Sequence, residues 1–145
     1  MQIDTKDYGT IEINQTDIIK FSQGLYGFEQ DKSYVVLGQD GEGIMQLQSV
    51  EDINPRMIIL DPFIFIKDYN PALPKEVFSQ LEAGQREELC IFVIAVIPDN
   101  YKNITVNLKS PVVINFGKRL GVQVILEENY SMRYKPFSSD GGMLC

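Results

Sequence analysis

The residues best suited to chemistry are three adjacent carboxylate pairs, Glu51-Asp52, Glu87-Glu88 and Glu127-Glu128, and the cysteines Cys90 and Cys145. To these the sequence adds amides set in otherwise apolar runs: Gln46, Gln48, Asn107, Asn115 and Gln123. Acid–base catalysis by a carboxylate pair needs one member desolvated so that its pKa rises. Neighbours in a strand point to opposite faces, so such a pair cannot converge on one substrate atom unaided, and all three read as solvated edge charges. Cys90 lies among Leu89, Ile91 and Phe92, where burial would raise the thiol pKa and leave it as inert packing. Asp40-Gly41-Glu42-Gly43 lacks the ligand spacing and terminal Glu of a calcium loop and reads as a turn. Gly24 and Gly27 do not stand between a strand and a helix, as a phosphate-binding loop requires, and serve turns instead. With no histidine in the chain, Ser-His and Cys-His nucleophile pairs and His-ligated metals are excluded. No enzyme activity, metal or cofactor is expected. The amides must be hydrogen-bonded if buried, which favours a structural role. A neutral amide face beside aromatics would also suit recognition of a protein.

These residues must be positioned by one domain. The chain has 145 residues, 44% of them apolar, with 7 Tyr and 8 Phe, enough to build a core without disulfide staples. Two cysteines cannot make a disulfide scaffold and suit a reducing cytosol. Met1 to Tyr8 has neither the basic start nor the apolar stretch of a signal peptide. The longest apolar run, Leu89 to Pro98, is about half of what a membrane helix needs. A cytoplasmic protein without membrane contact is expected. Its 13 basic and 20 acidic side chains give a net charge of −7, which disfavours direct nucleic-acid binding. Residues 1–108 carry 8 basic and 17 acidic side chains, and residues 109–145 carry 5 and 3. An acidic surface of this kind gives solubility and steers in basic partners.

Period-two alternation at Tyr8–Asn14 sets Ile11 and Ile13 on one face and predicts a strand or hairpin. A short strand is predicted at Asp17–Phe21, then an ordered loop through Gly24 and Gly27 to Phe28. Ser33–Leu37 and Ile44–Val50 read as a hairpin, and Met57–Leu60 as a strand ended by Asp61-Pro62. The principal helix is expected from Pro74 to Ala83, about three turns, stopped by Gly84. Leu89–Ile97 is apolar on both faces and should be the central strand, with Ile91, Val93, Ala95 and Ile97 in the core. Short strands at Asn103–Leu108, Pro111–Phe116 and Gly121–Leu126 complete a mainly antiparallel β domain, a small barrel or sandwich. It spans 1–137, and the small, glycine-rich tail 138–145 is expected to be mobile.

Five blocks run in order: Phe21-Ser22-Gln23-Gly24-Leu25-Tyr26-Gly27-Phe28-Glu29; Leu47-Gln48-Ser49; Asp61-Pro62 with Tyr69; Thr105 to Asn115; and Gly121 to Leu126 with Tyr130. As a set they resemble the FliW family of flagellar assembly factors, although Ser110 stands where that family often has alanine. The resemblance implies a non-enzymatic, single-domain cytoplasmic protein, monomeric when free, with a small antiparallel β-barrel-like fold. It also implies two protein partners. One is flagellin, held before export in the manner of a chaperone; the other is CsrA, a translational repressor of flagellin. When export drains flagellin, the freed factor would bind CsrA and lift the repression.

Folding alone does not demand Asn107, Asn115 and Gln123. With Pro111 and Tyr130 they are expected to form a neutral hydrogen-bonding patch, bordered by Glu127 and Glu128, that contacts the basic CsrA-type partner. The Gly24–Phe28 loop is the other candidate surface. A rival reading is a small-ligand barrel with Gln48, Asn107 and Gln123 lining a pocket. A ligand barrel should show one deep cavity of mixed polarity, whereas an interaction module should have a filled interior and an exposed apolar patch.

Overall fold

The computed structural model describes residues 1–38, 43–138 and 142–143. The chain begins with a hairpin of β1 (Gln2–Thr5) and β2 (Gly9–Glu12), whose turn is held by Thr5 Oγ1 donating to the Gly9 carbonyl at 2.7 Å. A 3-10 turn and the two-residue β3 (Ile19–Lys20) replace the longer strand expected over 17–21. The hairpin β4 (Ser33–Leu37) and β5 (Ile44–Ser49) forms as expected, and β6 (Arg56–Leu60) pairs with β5. The turn expected at Asp40–Gly43 falls almost entirely outside the described residues.

Asp61-Pro62 ends β6 and also starts a one-turn helix, α1 (Pro62–Phe65), because the Asp61 carboxylate accepts from the Phe63 amide at 3.0 Å. The following helix, α2, is shorter than expected, Lys75–Gln80. Glu82, not Gly84, takes the left-handed conformation that ends it, with φ 53°. Ala83 N donates to Phe78 O at 2.8 Å and Glu82 N to Ser79 O at 3.3 Å, the bond pair of a Schellman cap.

β7 (Cys90–Val96) is the centre of the sheet: it pairs with β6, with β8 (Thr105–Val106) and with β9 (Val112–Asn115). β10 (Leu120–Gln123) pairs antiparallel with β9 and makes one parallel pairing, Leu120 with Lys20, to β3. The order β6-β5-β4-β3-β10-β9-β7 closes on itself through the β6–β7 ladder, so the sheet is a seven-stranded barrel with β8 hung on β7. At the end of the domain, β11 (Phe137–Ser138) pairs with β12 (Gly142–Met143). The remaining tail positions lie outside the described residues.

Alternation along β7 sends Phe92 into the barrel with Ile19, Phe21, Leu25, Tyr34, Leu47 and Ile59. Ile91, Val93 and Ala95 face outward into a second core with Tyr69, Val77, Leu81 and Leu126. The strand is buried on both faces, as its composition demands. Its ends depart from expectation. Cys90 and Ile97 are exposed, because β7 begins at the barrel rim and stops at Val96, leaving Ile97 beyond the last ladder pair and before Pro98. The hairpin β1–β2 packs Ile3 and Ile13 on Val35, on the outer face of β4.

Candidate functional site

The amides singled out from sequence are mostly occupied by the fold. Gln48 is fully buried on the outer face of β5, where its Oε1 accepts from Lys6 N at 3.1 Å and its Nε2 donates to Ile53 O at 3.0 Å. Asn115 donates to Leu81 O at 2.8 Å and so fastens the end of α2 to β9. Gln123 is 8% exposed, accepts from Tyr26 N at 2.9 Å and donates to Ser110 O at 3.2 Å. Asn107 Oδ1 accepts from Lys109 N and Ser110 N, shaping the turn that leads to Pro111. Pro111 is buried, and its carbonyl accepts from Val124 N.

The two candidate surfaces meet at Gln123. Gln123 bridges the Gly24–Phe28 loop to the 109–111 turn, and beside it runs a groove of about 370 Å³ lined by Tyr26, Met57, Ile94, Asn107, Ile125 and Met132. A second hollow, sharing Ile94, Asn107 and Met132, continues it toward Val96 and Arg133. Val96, Met132 and Ile125 are 65%, 63% and 54% exposed. These side chains form an exposed apolar patch of the kind that suits a protein partner, and two methionines give it adaptable walls. Sequence reasoning missed Val96, Ile125 and Met132: Val96 and Ile125 sit next to buried apolar positions, Met132 is a single apolar residue between Ser131 and Arg133, and nothing local says which way any of them points.

Glu127, Glu128 and Tyr130 lie on the segment after Ile125, which Lys109 Nζ ties back by donating to Glu128 O at 2.7 Å. Glu128 accepts from Ala72 N, and Tyr130 accepts from Asn70 N while its ring meets Tyr69 edge-on at 4.9 Å. Tyr69 donates to Leu108 O, and burial, followed by its neighbours Tyr130 and Glu128, pushes its phenol well above the usual range. The structure thus unites Asn107 with Gln123, and Glu128 with Tyr130. Asn115 stands apart: in the ladder it pairs with Leu120, whereas Gln123 pairs with Val112 at the other end.

The carboxylate pairs hold backbone amides. Glu51 accepts from Lys32 N, Glu88 from Gln85 N and Glu128 from Ala72 N. The Cys90 thiol is pushed up by partial burial, against the pull of Arg86. Glu29 is held below the usual carboxylate range by the Gly27 amide, its donor at 3.1 Å. Among the described residues no group of three His, Cys, Asp or Glu is placed to hold a metal ion, and no helix is long and apolar enough to cross a membrane. The barrel interior is filled by aromatic and aliphatic side chains; Asn107 and Gln123 both line the open groove, whereas Gln48, on the outer face of β5, does not.

The family model described as FliW protein matches residues 2–136. The chain is 39% identical over 133 residues to the flagellar assembly factor FliW of Caldicellulosiruptor saccharolyticus, covering 91% of this chain and 88% of that one. With the FliW of Clostridium tetani it shares 37% over 142 residues, covering 97% and 98%. A crystal structure of the flagellar assembly factor FliW superimposes with a TM-score of 0.88 at 34% identity, over 93% of this chain and 96% of that one. Family match, identity and a shared barrel agree: the chain belongs to the FliW family of flagellar assembly factors.

Proposed function

We propose that this protein is a non-enzymatic, cytoplasmic flagellar assembly factor, monomeric when free, that binds flagellin and a CsrA-type translational regulator in exchange for one another. The observation that carries the reading is an open apolar groove on a barrel whose interior is filled. Such an arrangement offers an open apolar surface to a protein rather than an enclosed pocket to a small substrate. Its membership of a family of flagellar assembly factors supplies the process. Asn107 lies in the groove and would contact the regulator, with Tyr130 and the acids Glu127 and Glu128 contributing from the adjoining segment. Pro111 and Gln123 hold the loops that shape this end, while Asn115 fastens α2 at the other end of the β9–β10 ladder. Flagellin bound to the factor would keep the regulator free to repress flagellin synthesis, and export of flagellin would release the factor to bind it. Exchange requires negative coupling between the two sites.

The test is a titration of the purified protein with each partner alone and with both. Flagellin should displace the regulator, and Met132→Asp or Ile125→Asp should weaken at least one complex by about tenfold or more with unchanged melting curves. A stable ternary complex would end the exchange reading. Full binding of both partners by both variants would remove the groove from it.

A further inference from the structure

A second surface lies at the N-terminal hairpin and shares no residue with the groove beside Asn107. Met1 and Ile13 bond each other through both backbone groups, Ile13 N to Met1 O at 2.8 Å and Met1 N to Ile13 O at 3.2 Å. With the register Ile3 to Ile11 and Thr5 to Gly9, antiparallel alternation turns the amides and carbonyls of Met1, Ile3 and Thr5 toward β2. Those of Gln2, Asp4 and Lys6 point the other way, along the outer edge of β1. The β1–β2 sheet has two strands, so among the described residues no strand pairs with that edge.

The edge does not look into empty solvent. It borders a groove of about 640 Å³ whose far side is Val50, Glu51, Asp52 and Ile53. At one end the fold already supplies a substitute partner: Lys6 N donates to the side-chain amide of Gln48, and the same amide donates to the carbonyls of Asp52 and Ile53. Gln48 therefore does at Lys6 what a paired strand would do at Gln2 and Asp4. Natural proteins cover or blunt such edges unless they use them.

The groove is acidic. Asp4, Glu51 and Asp52 line it; their carboxylates accept from Thr10 Oγ1, Lys32 N and Ile53 N, and none is in an ion pair among the described residues. A second copy of this chain pairing edge to edge would set these acids against each other, which opposes self-association. We propose that the outer edge of β1 takes an extended basic segment of a partner protein as an added strand. Main-chain bonds form at Gln2 and Asp4, and lysine or arginine side chains at alternate positions meet Asp4, Glu51 and Asp52. This is strand addition, in which the backbone supplies affinity and alternate side chains supply specificity.

The test uses the whole protein and a short capped peptide alternating lysine and valine. A control peptide has the same charges but N-methyl groups on alternate amides, so that it cannot form a ladder. The first peptide should bind, slow the exchange of the Gln2 and Asp4 amides, and bind about tenfold or more weakly once methylated, since two or more hydrogen bonds are lost. Asp4→Pro removes an outward amide without touching the β1–β2 ladder and should abolish the preference between the two peptides. Glu51→Lys with Asp52→Lys should weaken both peptides alike. Equal binding of the methylated peptide to the unaltered protein would reduce the surface to non-specific charge attraction and overturn the proposal, as would amide protection confined to residues outside β1. Concentration-dependent dimerisation through this edge would replace the partner with a second copy and overturn it too.

Discussion

The tip of the Phe21 ring rests against the Cα of Gly121, so closely that a Cβ built there would collide with three ring carbons. Phe21 is fully buried and meets Tyr34 edge-on at 5.3 Å. This contact joins the residue that follows β3 to β10, where the barrel closes through the parallel pairing of Lys20 with Leu120. Gly121→Ala should destabilise the fold by about 1–3 kcal/mol, the usual cost of overpacking. Adding Phe21→Leu should return part of that loss in a double-mutant cycle followed by denaturant unfolding. Additive losses would show that the ring is not what excludes the methyl.

Tyr34 and Tyr69 are both buried phenols with opposite accounts. The Tyr34 hydroxyl has no hydrogen-bond partner among the described residues, whereas Tyr69 donates to Leu108 O at 2.7 Å. Tyr34→Phe should be neutral or stabilising by up to about 1 kcal/mol, and Tyr69→Phe should cost about 1–2 kcal/mol. Thermal melts of the pair check the difference in sign.

Alkaline pH should report the same two groups. Burial comes first among the causes that raise both phenols, with Asp31 and Glu51 adding to it at Tyr34, and Tyr130 and Glu128 at Tyr69. A folded-state pKa above the unfolded value of about 10 means that stability is fully present below that pH. It is lost as pH rises beyond it, because the unfolded chain releases protons the folded one keeps. Tyr34→Phe should move the alkaline unfolding midpoint upward. Early phenolate absorbance from two fewer silent tyrosines, before unfolding, would contradict the burial argument.

Glu82 holds the left-handed position at the end of α2 without being glycine. A side chain there costs about 1–2 kcal/mol, partly offset by the greater unfolded-state freedom that glycine would introduce. Glu82→Gly should therefore raise stability by about 0.5–1 kcal/mol, read as a higher denaturation midpoint with an unchanged slope.

The acids after Ile125 should act on the rate of encounter. Charge reversal at Glu127 and Glu128 should slow association with a basic partner and flatten its salt dependence, while Asn107→Ala should mainly speed dissociation. Stopped-flow kinetics separates the two. Gln123→Ala should hasten exchange of the Tyr26 amide, because that amide's acceptor is the Gln123 side chain.

Much of the barrel was legible in the chain because period-two patterning and turn chemistry are local. The hairpin of β4 and β5, the strand stopped by Asp61-Pro62 and the double-sided burial of β7 all follow from residues within one element. Element ends were less legible. Glu82 ends α2 because of bonds from Glu82 and Ala83 back to Ser79 and Phe78, which propensity does not encode. Cys90 and Ile97 look like core by composition and are exposed because Cys90 is the first ladder position of β7, at the barrel rim, and Ile97 lies beyond the last. What only the tertiary structure decided is which separated segments meet. Tyr26 and Ser110 are joined by the Gln123 amide, and Ile125 and Met132 come to line one groove with Met57 and Ile94. A sequence states each side chain's chemistry and, through local periodicity, which neighbours share its face. Whether that face turns inward, outward or toward a distant loop is set by closure of the sheet, which depends on every strand at once.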